Sequence, residues 1–271
     1  MSTTGTALFR WQGGILHPLE YCDPAETTIL AADSWLVSDG SALAIELHRE
    51  RFFAAVEHQH PGAAEQVALE DFWAAAIDAI PRTGNQFPRV ELQLNRGGPL
   101  LVSRRRQAPE LSLSVTVATH RGADPRTQPL VKGPDTHALL KARTDAQRRG
   151  AGEAVIVSPD GFVVEGAASA LLWWRGDVLC SPSPDLERVD SVTARSVITL
   201  ATALGVDVYS ESVPPDALDG LEVWALSALH GIRIVAGWVD GPTLAEEPGR
   251  LASWRSRLDR LRKPLPNPRA G

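Results

Sequence analysis

Residues 131–166 read VKGPDTHALLKARTDAQRRGAGEAVIVSPDGFVVEG, and this stretch carries the strongest fold signal in the chain. Its spacing predicts a helix that Asp135 or Thr136 caps, followed by two strands that flank a Pro-Asp-Gly turn. Lys132 lies before the helix, at the end of a short apolar strand, and Glu165 ends the second strand of the hairpin. The stretch therefore predicts a rigid α/β segment that presents one amine and one carboxylate.

Lysine is rare in this chain, which limits where imine chemistry can occur. Of the 27 lysine and arginine residues, three are lysines: Lys132, Lys141 and Lys263. Lysine can form a Schiff base with a carbonyl, whereas arginine stays protonated. Lys141 falls in a mid-helix pattern of solvated charge, and Lys263 falls in a proline-containing tail. Lys132 is therefore the strongest candidate for the reactive amine.

The composition is that of a globular protein. The chain has 271 residues, of which 44% are hydrophobic and 22% charged, and its net charge of −6 comes with no wide basic face for nucleic acid. Its apolar runs are too short to span a bilayer, and its first residues do not resemble a signal peptide, so we expect a cytoplasmic protein without a membrane partner. Cys22 and Cys180 predict two inert thiols and no metal site.

The other secondary-structure elements follow from periodicity and turn signals. Strands are predicted at Ala42–Leu47, Arg89–Leu94, Leu111–Ala118, Leu171–Trp174, Val178–Cys180, Val206–Tyr209 and Glu222–Leu226, and helices at His48–Val56, Leu69–Ile80, Ser191–Leu204 and Arg250–Leu261. The stretch Thr119–Pro129 is rich in Gly, Pro, Arg and Asp without periodicity, so we predict an interdomain linker there.

Two segments suit a flat, anionic ligand. Glu165 follows apolar residues and precedes small ones, so its carboxylate should be partly buried and needs a cationic or hydrogen-bonding partner. A salt bridge to a neighbouring arginine would satisfy it equally well. Ser191, Val192 and Thr193 open a helix whose N–H groups and dipole can hold a phosphate, although most such starts are simple caps.

Together these segments resemble the class IV aminotransferases, which include branched-chain and D-amino-acid aminotransferases and aminodeoxychorismate lyase. Lys132 and Glu165 are 33 positions apart, as the family's lysine and glutamate are. The other matching segments are Ser191–Arg195, similar to the family's Gly-Ile-Thr-Arg phosphate turn, Ser227–Val235, similar to its last cofactor loop, and Leu47–Phe52, similar to its His-x-x-Arg-Leu helix. The resemblance covers about residues 30–240.

The resemblance implies a fold-type IV enzyme that binds pyridoxal 5′-phosphate and has an α/β (α+β) architecture. A smaller N-terminal α+β domain would occupy residues 1–120, a linker residues 121–130, and a larger C-terminal domain with a mixed sheet or barrel residues 131–271. Members of the family are usually homodimers that hold the cofactor in a cleft between domains and act on small amino and keto acids.

The resemblance also implies residue roles. Lys132 would form the Schiff base and later shuttle a proton, and Glu165 would keep the pyridine nitrogen protonated. The remaining implied cofactor-binding positions surround the phosphate: Arg51, Val192, Thr193, Ser227, Ala228 and Leu229. Five residues remain unranked as partners of a substrate carboxylate: His48, Arg96, Arg104, His230 and Arg233.

The departures from the family pattern concern the substrate more than the cofactor. The family's Phe-Glu-Thr near the substrate reads Ala32-Asp33-Ser34, and Ala170 replaces an asparagine after the glutamate. An aminotransferase is the first hypothesis. An aminodeoxychorismate lyase, which forms 4-aminobenzoate and pyruvate, is the main rival because the loop at Ala228 and Leu229 is most similar to the lyase version. A non-catalytic binding protein with the same fold is the third.

Overall fold

The chain forms two compact units in a computed structural model that describes residues 6–19, 27–62, 65 and 68–266. The first unit comprises Met1–Glu110, Val131–Pro134 and Leu261–Gly271, and the second comprises Leu111–Leu130 and Asp135–Arg260. The strand that follows residue 111 pairs within the second unit, and Val131–Pro134 belongs to the first unit.

The first unit is built on a five-stranded antiparallel sheet in the order β2-β1-β8-β7-β3. Its strands are β1 (Ala7–Gln12), β2 (Ile15–Pro18), β3 (Thr28–Ser34), β7 (Arg89–Asn95) and β8 (Gly98–Arg105). A second sheet, in the order β17-β5-β4-β6, contains β4 (Val37–Ser38), β5 (Ser41–Leu43), β6 (Asn85–Gln86) and β17 (Arg262–Pro264). Among the described residues of this unit, the longer helices are α1 (Ile45–Gln59) and α2 (Leu69–Asp78).

The two faces of the five-stranded sheet differ in chemistry. One face belongs to an apolar core that includes Ala31, Trp35, Val90, Leu92 and Leu101, together with Phe52 of α1 and Phe72 of α2. Because side chains alternate along a strand, Ser34 and Glu91 lie on the opposite face. Both are nevertheless buried, so this polar face needs its own hydrogen-bonding partners.

The second unit is built on a mixed eight-stranded sheet in the order β11-β10-β9-β16-β15-β12-β13-β14. This agrees with the mixed sheet that the sequence predicted. Its strands are β9 (Ser114–Thr119), β10 (Glu153–Val157), β11 (Val163–Gly166), β12 (Ala170–Arg175), β13 (Val178–Pro182), β14 (Val208–Glu211), β15 (Glu222–Ser227) and β16 (Gly231–Val239). The helices are α3 (Thr136–Arg148), α4 (Val192–Ala203) and α5 (Arg250–Asp259).

Most predicted elements are present, including the hairpin around Pro-Asp-Gly, but the segments at residues 42–47 and 262–264 differ. The strand predicted at Ala42–Leu47 ends at Leu43, and α1 begins at Ile45 instead of His48. Ala44 between them has a left-handed conformation (φ 45°), which breaks the strand before the helix begins. The proline-containing tail contributes β17, which pairs with β5 and carries Lys263.

The predicted cap of α3 also serves another purpose. Asp135 precedes the helix, but its carboxylate makes no capping bond. It accepts hydrogen bonds from the Thr127 N–H and Oγ1 and from the Gln128 N–H, at 2.7–2.9 Å. The segment predicted as a linker is therefore tied to the start of α3 within the second unit.

The remaining sequence expectations concern thiols, metals and membranes. Cys180 is a buried free thiol on β13, and burial raises its pKa; Cys22 lies outside the described residues. The described part of the chain contains no group of three potential metal ligands. Within that same part, no helix is both long enough and apolar enough to cross a bilayer.

Candidate active site

Lys132 lies in the first unit, in a loop that is hydrogen-bonded to strand β3. The Ala32 N–H donates to the Lys132 carbonyl oxygen at 2.7 Å. The apolar strand predicted before the lysine is wrong: residues 127–135 form bends and turns. Pro129 has no N–H to donate to a ladder, which disfavours a strand in this segment. The hydrogen bond from Ala32 nevertheless anchors the loop at Lys132 itself.

The burial of the three lysines separates Lys132 from the others. Lys132 is partly buried, whereas Lys141 on α3 and Lys263 on β17 are exposed. Lys132 also lies close enough to His48 for its charge to lower the His48 pKa, after the larger effect of burial. Of the three lysines, Lys132 is thus the one whose side chain is partly buried.

Gly133 determines how closely this loop approaches β3. Its φ is +134°, and a Cβ added there would lie 2.8 Å from the Ala32 nitrogen and 2.9 Å from the Ala31 carbonyl carbon. Real Cβ atoms do not approach backbone so closely, and backbone cannot rotate away as a side chain can. The glycine is therefore required for the hydrogen bond that positions Lys132.

We expect Gly133→Ala to destabilise the protein by roughly 3 kcal/mol or more, because it combines a disfavoured φ with a backbone clash. Gly98→Ala is the matched control: its φ is +108°, but no atom lies within 4 Å of the added Cβ, so it should cost only about 1–2 kcal/mol. Chemical denaturation measures both free energies of unfolding. Equal losses for the two variants would contradict the steric role of Gly133.

Arg51, predicted to bind phosphate, is paired with a carboxylate in the first unit. Its Nε donates to Asp33 Oδ2 and its Nη2 to Asp33 Oδ1, both at 2.8 Å. His48 Nδ1 also lies 2.8 Å from Asp33 Oδ1. Burial opposes ionisation of Asp33, but the charge of Arg51 and the hydrogen bonds of Arg51 and His48 outweigh it and hold the Asp33 pKa well below its usual range. Asp33 is therefore ionised, and its carboxylate fixes the orientation of the Arg51 guanidinium.

Glu165 lies in the second unit, buried near the end of β11. Its Oε1 accepts a hydrogen bond from Arg126 Nη1 at 2.6 Å. Arg126 is itself held by Asp124, to which its Nε and Nη2 both donate. Sequence reasoning left a partner of this kind open but did not identify Arg126, because Asp-Pro-Arg occurs in a segment without periodicity. The positive charge of Arg126 favours the ionised form of the buried Glu165 carboxylate.

The start of α4 matches the expected anion site in its local structure. Ser191 is the N-cap, and its Oγ accepts from the Ala194 N–H at 3.3 Å. Val192 and Thr193 form the first turn and are buried. The first N–H groups of a helix have no partner within the helix, and the helix dipole favours an anion beside them. Both residues thus lie where a phosphate could be bound.

Ser227, Ala228 and Leu229 form the turn that connects β15 to β16. Ser227 is the last residue of β15, and its Oγ accepts from the His230 N–H at 3.2 Å. All three residues are partly buried. The turn is therefore a defined backbone structure, and its serine hydroxyl stabilises the turn itself.

Two of the candidate partners of a substrate carboxylate, Arg233 and His230, lie in the second unit. Arg233 is buried and forms an ion pair with Glu153 at 3.7 Å. His230 Nδ1 accepts from the Ser112 N–H, and burial, with the nearby charges of Arg233, Arg143 and Arg255, lowers the His230 pKa to about 4. His230 is therefore neutral at neutral pH and offers no positive charge to a carboxylate.

A protein-family model described as amino-transferase class IV matches residues 30–238. The chain belongs to the class IV aminotransferase family. This confirms the family identified from the motifs. The cofactor of the family is pyridoxal 5′-phosphate, as the sequence led us to expect. No curated protein sequence matches the chain.

Solved structures of class IV aminotransferases share the fold. A fold IV transaminase from Curtobacterium pusillum is 19% identical with a TM-score of 0.76, covering 93% of this chain and 97% of that chain. A branched-chain aminotransferase from Thermoproteus uzoniensis is 17% identical with a TM-score of 0.78, covering 97% and 100%. A hypothetical aminotransferase from Mycobacterium tuberculosis, solved in a PLP-bound form, is 20% identical with a TM-score of 0.71, covering 95% and 98%. The predicted fold type IV is confirmed.

The residues of this chain suit the family's cofactor. The chain has a partly buried amine at Lys132, a buried carboxylate at Glu165 with an arginine beside it, and a helix start at Val192 and Thr193. The aldehyde of the cofactor requires an amine, its pyridine nitrogen requires a carboxylate, and its phosphate requires N–H donors such as those of a helix start. Arg51 adds a guanidinium already oriented by Asp33.

Proposed function

We propose that this chain is a pyridoxal-phosphate-dependent aminotransferase that moves an amino group between an amino acid and a 2-keto acid. One observation carries the proposal: Lys132 is the lysine that the fold anchors and partly buries, through the Ala32 hydrogen bond and the close approach of Gly133. Lys141 and Lys263 are exposed. Membership in the family supports this reaction class, and Lys132 would provide the amine that the reaction needs.

Lys132 and Glu165 have complementary roles in this proposal. The bound cofactor supplies an electron-withdrawing ring that stabilises negative charge at the substrate α-carbon. Lys132 Nζ would hold the cofactor covalently and would carry the proton that leaves the substrate α-carbon. Glu165, beside Arg126, would hold the pyridine nitrogen through its ionised carboxylate.

The phosphate-binding residues are proposed on local geometry and family position. The N–H groups of Val192 and Thr193 and the Thr193 hydroxyl donate to phosphate oxygens at the positive end of α4. The backbone of the turn at Ser227, Ala228 and Leu229 completes the phosphate site. Arg51 contributes its charge while Asp33 keeps its guanidinium plane fixed. As in most of the family, we propose that the protein acts as a homodimer.

Amino acids added singly test the reaction. The cofactor-loaded protein should lose its visible absorbance when an amino acid donates its amino group, and a 2-keto acid should restore it. The spectrum is recorded for glutamate, leucine and alanine in turn. If none bleaches the band while aminodeoxychorismate yields pyruvate, the protein is a lyase, the alternative that the loop at Ala228 and Leu229 favours. A protein that never takes up the cofactor is neither enzyme, and the proposal fails.

A further inference from the structure

The hairpin loop between β15 and β16 carries two backbone N–H groups that the fold leaves unpaired. Ser227 and Gly231 are cross-strand partners, and the loop between them has three residues: Ala228, Leu229 and His230. Gly231 closes the loop with a φ of +66°, the left-handed conformation that hairpin loops of this length favour. Ala228 and Leu229 are partly buried, yet within the described part of the chain neither N–H donates a hydrogen bond. Neighbouring N–H groups of this kind are suited to an anion.

The imidazole of His230 ties this loop to the segment that precedes β9. Its Nδ1 accepts a hydrogen bond from the Ser112 N–H at 3.2 Å. A backbone N–H can only donate, so Nδ1 is unprotonated and the hydrogen of the neutral ring is on Nε2. Ser112 is held in turn by its own hydroxyl, which donates to the Ser114 carbonyl oxygen at 2.6 Å. The ring of His230 therefore serves as a fixed acceptor that holds the loop.

A guanidinium group holds the same loop through its backbone. Arg255 Nη1 donates to the His230 carbonyl oxygen at 2.8 Å and also to the Ile232 carbonyl oxygen. Arg255 is partly buried, and hydrogen bonds from a charged donor are roughly twice as strong as those from a neutral one. One nitrogen thus bridges the end of the loop and the start of β16.

The apolar face of α5 explains why Arg255 lies there. Leu251, Trp254 and Leu258 are buried and recur at helical spacing, and α5 packs against β16. Arg255 follows Leu251 by four positions, so it lies beside this buried face of the helix. Apolar burial therefore fixes the helix, and the helix presents the arginine to the loop.

The start of α4, the other part of the proposed phosphate site, belongs to the same packed group. Helix α4 contacts β15, which ends at Ser227, and it also contacts α5, which carries Arg255. The first N–H groups of α4, at Val192 and Thr193, have no partner within the helix. Within the second unit, α5 thus supports both the loop and the helix that are proposed to bind the phosphate.

We propose that Arg255 and His230 are positioning residues for the cofactor phosphate: they hold the loop so that the N–H groups of Ala228 and Leu229 donate to phosphate oxygens. Neither side chain needs to touch the phosphate. Donors that are fixed before the anion arrives bind it more tightly, because less conformational entropy is lost on binding. This inference rests on the proposed function for the identity of the anion, and it adds the residues that shape the site.

Pyridoxal phosphate and pyridoxal, which lacks the phosphate, test the role of Arg255. Both have the aldehyde and the ring nitrogen, so the ratio of their dissociation constants isolates the phosphate. In absorbance titrations of the cofactor-free full chain, Arg255→Gln should weaken binding of pyridoxal phosphate roughly tenfold and binding of pyridoxal less than about twofold. Equal losses for the two compounds would overturn the proposal, because general damage to the fold does not select for the phosphate.

Arg257→Gln is the matched control. Arg257 is exposed and lies two residues further along α5, so its variant removes the same charge from the same helix. Both dissociation constants should stay within about twofold of those of the native chain. If Arg257→Gln weakened binding of pyridoxal phosphate as much as Arg255→Gln, the effect would be one of net charge, and the positioning role would be rejected.

Two substitutions of His230 test the imidazole. Asparagine places an amide oxygen near the position of Nδ1 and can still accept from the Ser112 N–H, whereas alanine cannot. His230→Asn should bind pyridoxal phosphate within about threefold of the native chain, and His230→Ala roughly tenfold more weakly. His230→Asn as weak as His230→Ala would reject the role of Nδ1. Thermal unfolding checks every variant, and if Arg255→Gln does not fold, the two His230 variants carry the test.

Inorganic phosphate separates this inference from the proposed function. Calorimetric titration of the cofactor-free chain with inorganic phosphate requires no aldehyde chemistry. A chain that takes up no pyridoxal phosphate, yet binds inorganic phosphate more weakly after Arg255→Gln, retains the positioned loop and rejects the aminotransferase proposal. A chain that takes up the cofactor and bleaches with amino acids, yet keeps full affinity for pyridoxal phosphate after Arg255→Gln, retains the proposed function and rejects the positioning role.

Discussion

Lys132→Ala removes the Schiff-base absorbance of the cofactor-loaded protein and lowers amino-group transfer roughly 10⁴-fold. The reason is that alanine can neither form the covalent link nor carry the proton at the substrate α-carbon. The fold should survive, because the hydrogen bond between Ala32 and residue 132 uses the backbone carbonyl, which the substitution retains. Absorbance spectra and single-turnover rates measure the two effects.

Lys141→Ala is the control for this experiment. Lys141 is exposed on α3 and has the same side chain, so its variant should keep both absorbance and rate. If Lys141→Ala became colourless while Lys132→Ala kept its absorbance, the reactive amine would be reassigned and the role of the lysine loop rejected.

Glu165→Gln lowers kcat by an expected 10²–10³-fold, on the order of the loss seen when one preorganised electrostatic partner is removed. Glutamine has nearly the same shape but no charge, so the protein holds a proton on the pyridine nitrogen less well. Arg126 keeps its two bonds to Asp124, which should preserve the local fold. The rate and the pH titration of the visible band are the measurements.

Glu187→Gln provides the comparison for Glu165. Glu187 has an exposed side chain, and Arg126 contacts only its backbone carbonyl, so loss of its charge should leave kcat within about twofold. A Glu165→Gln enzyme as active as this control would show that the buried carboxylate has no part in the chemistry.

Local signals made the second half of the chain predictable. The hairpin of β10 and β11 follows from alternation around Pro-Asp-Gly, and α4 follows from the cap at Ser191 and its apolar spacing. The first half of the chain was harder to predict. Strand β3 contains Asp33 and Ser34, and these polar residues obscure the alternation of apolar and polar side chains. Ala44, in a left-handed conformation, ends the strand that the sequence predicted to continue to Leu47.

The residues of the candidate site were likewise only partly predictable from the sequence. Lys132 could be found from the sequence because only three lysines exist and one occurs in a family motif. Its anchoring could not, because the contact of Gly133 with Ala31 and Ala32 joins segments about a hundred residues apart. Arg126 was hidden for a similar reason, since its partner Glu165 is 39 positions away.

The sequence by itself determined which chemical groups are available: one amine suited to an imine, a carboxylate at the end of a strand, and a helix start for an anion. Only the tertiary structure decided their environments, pairing Arg51 with Asp33, Arg126 with Glu165, and Ser34 with Arg89 and Arg104 in one row. The physical reason is that charge and hydroxyl groups act over a few ångströms, and strand register, which depends on the whole sheet, decides which distant residues come that close.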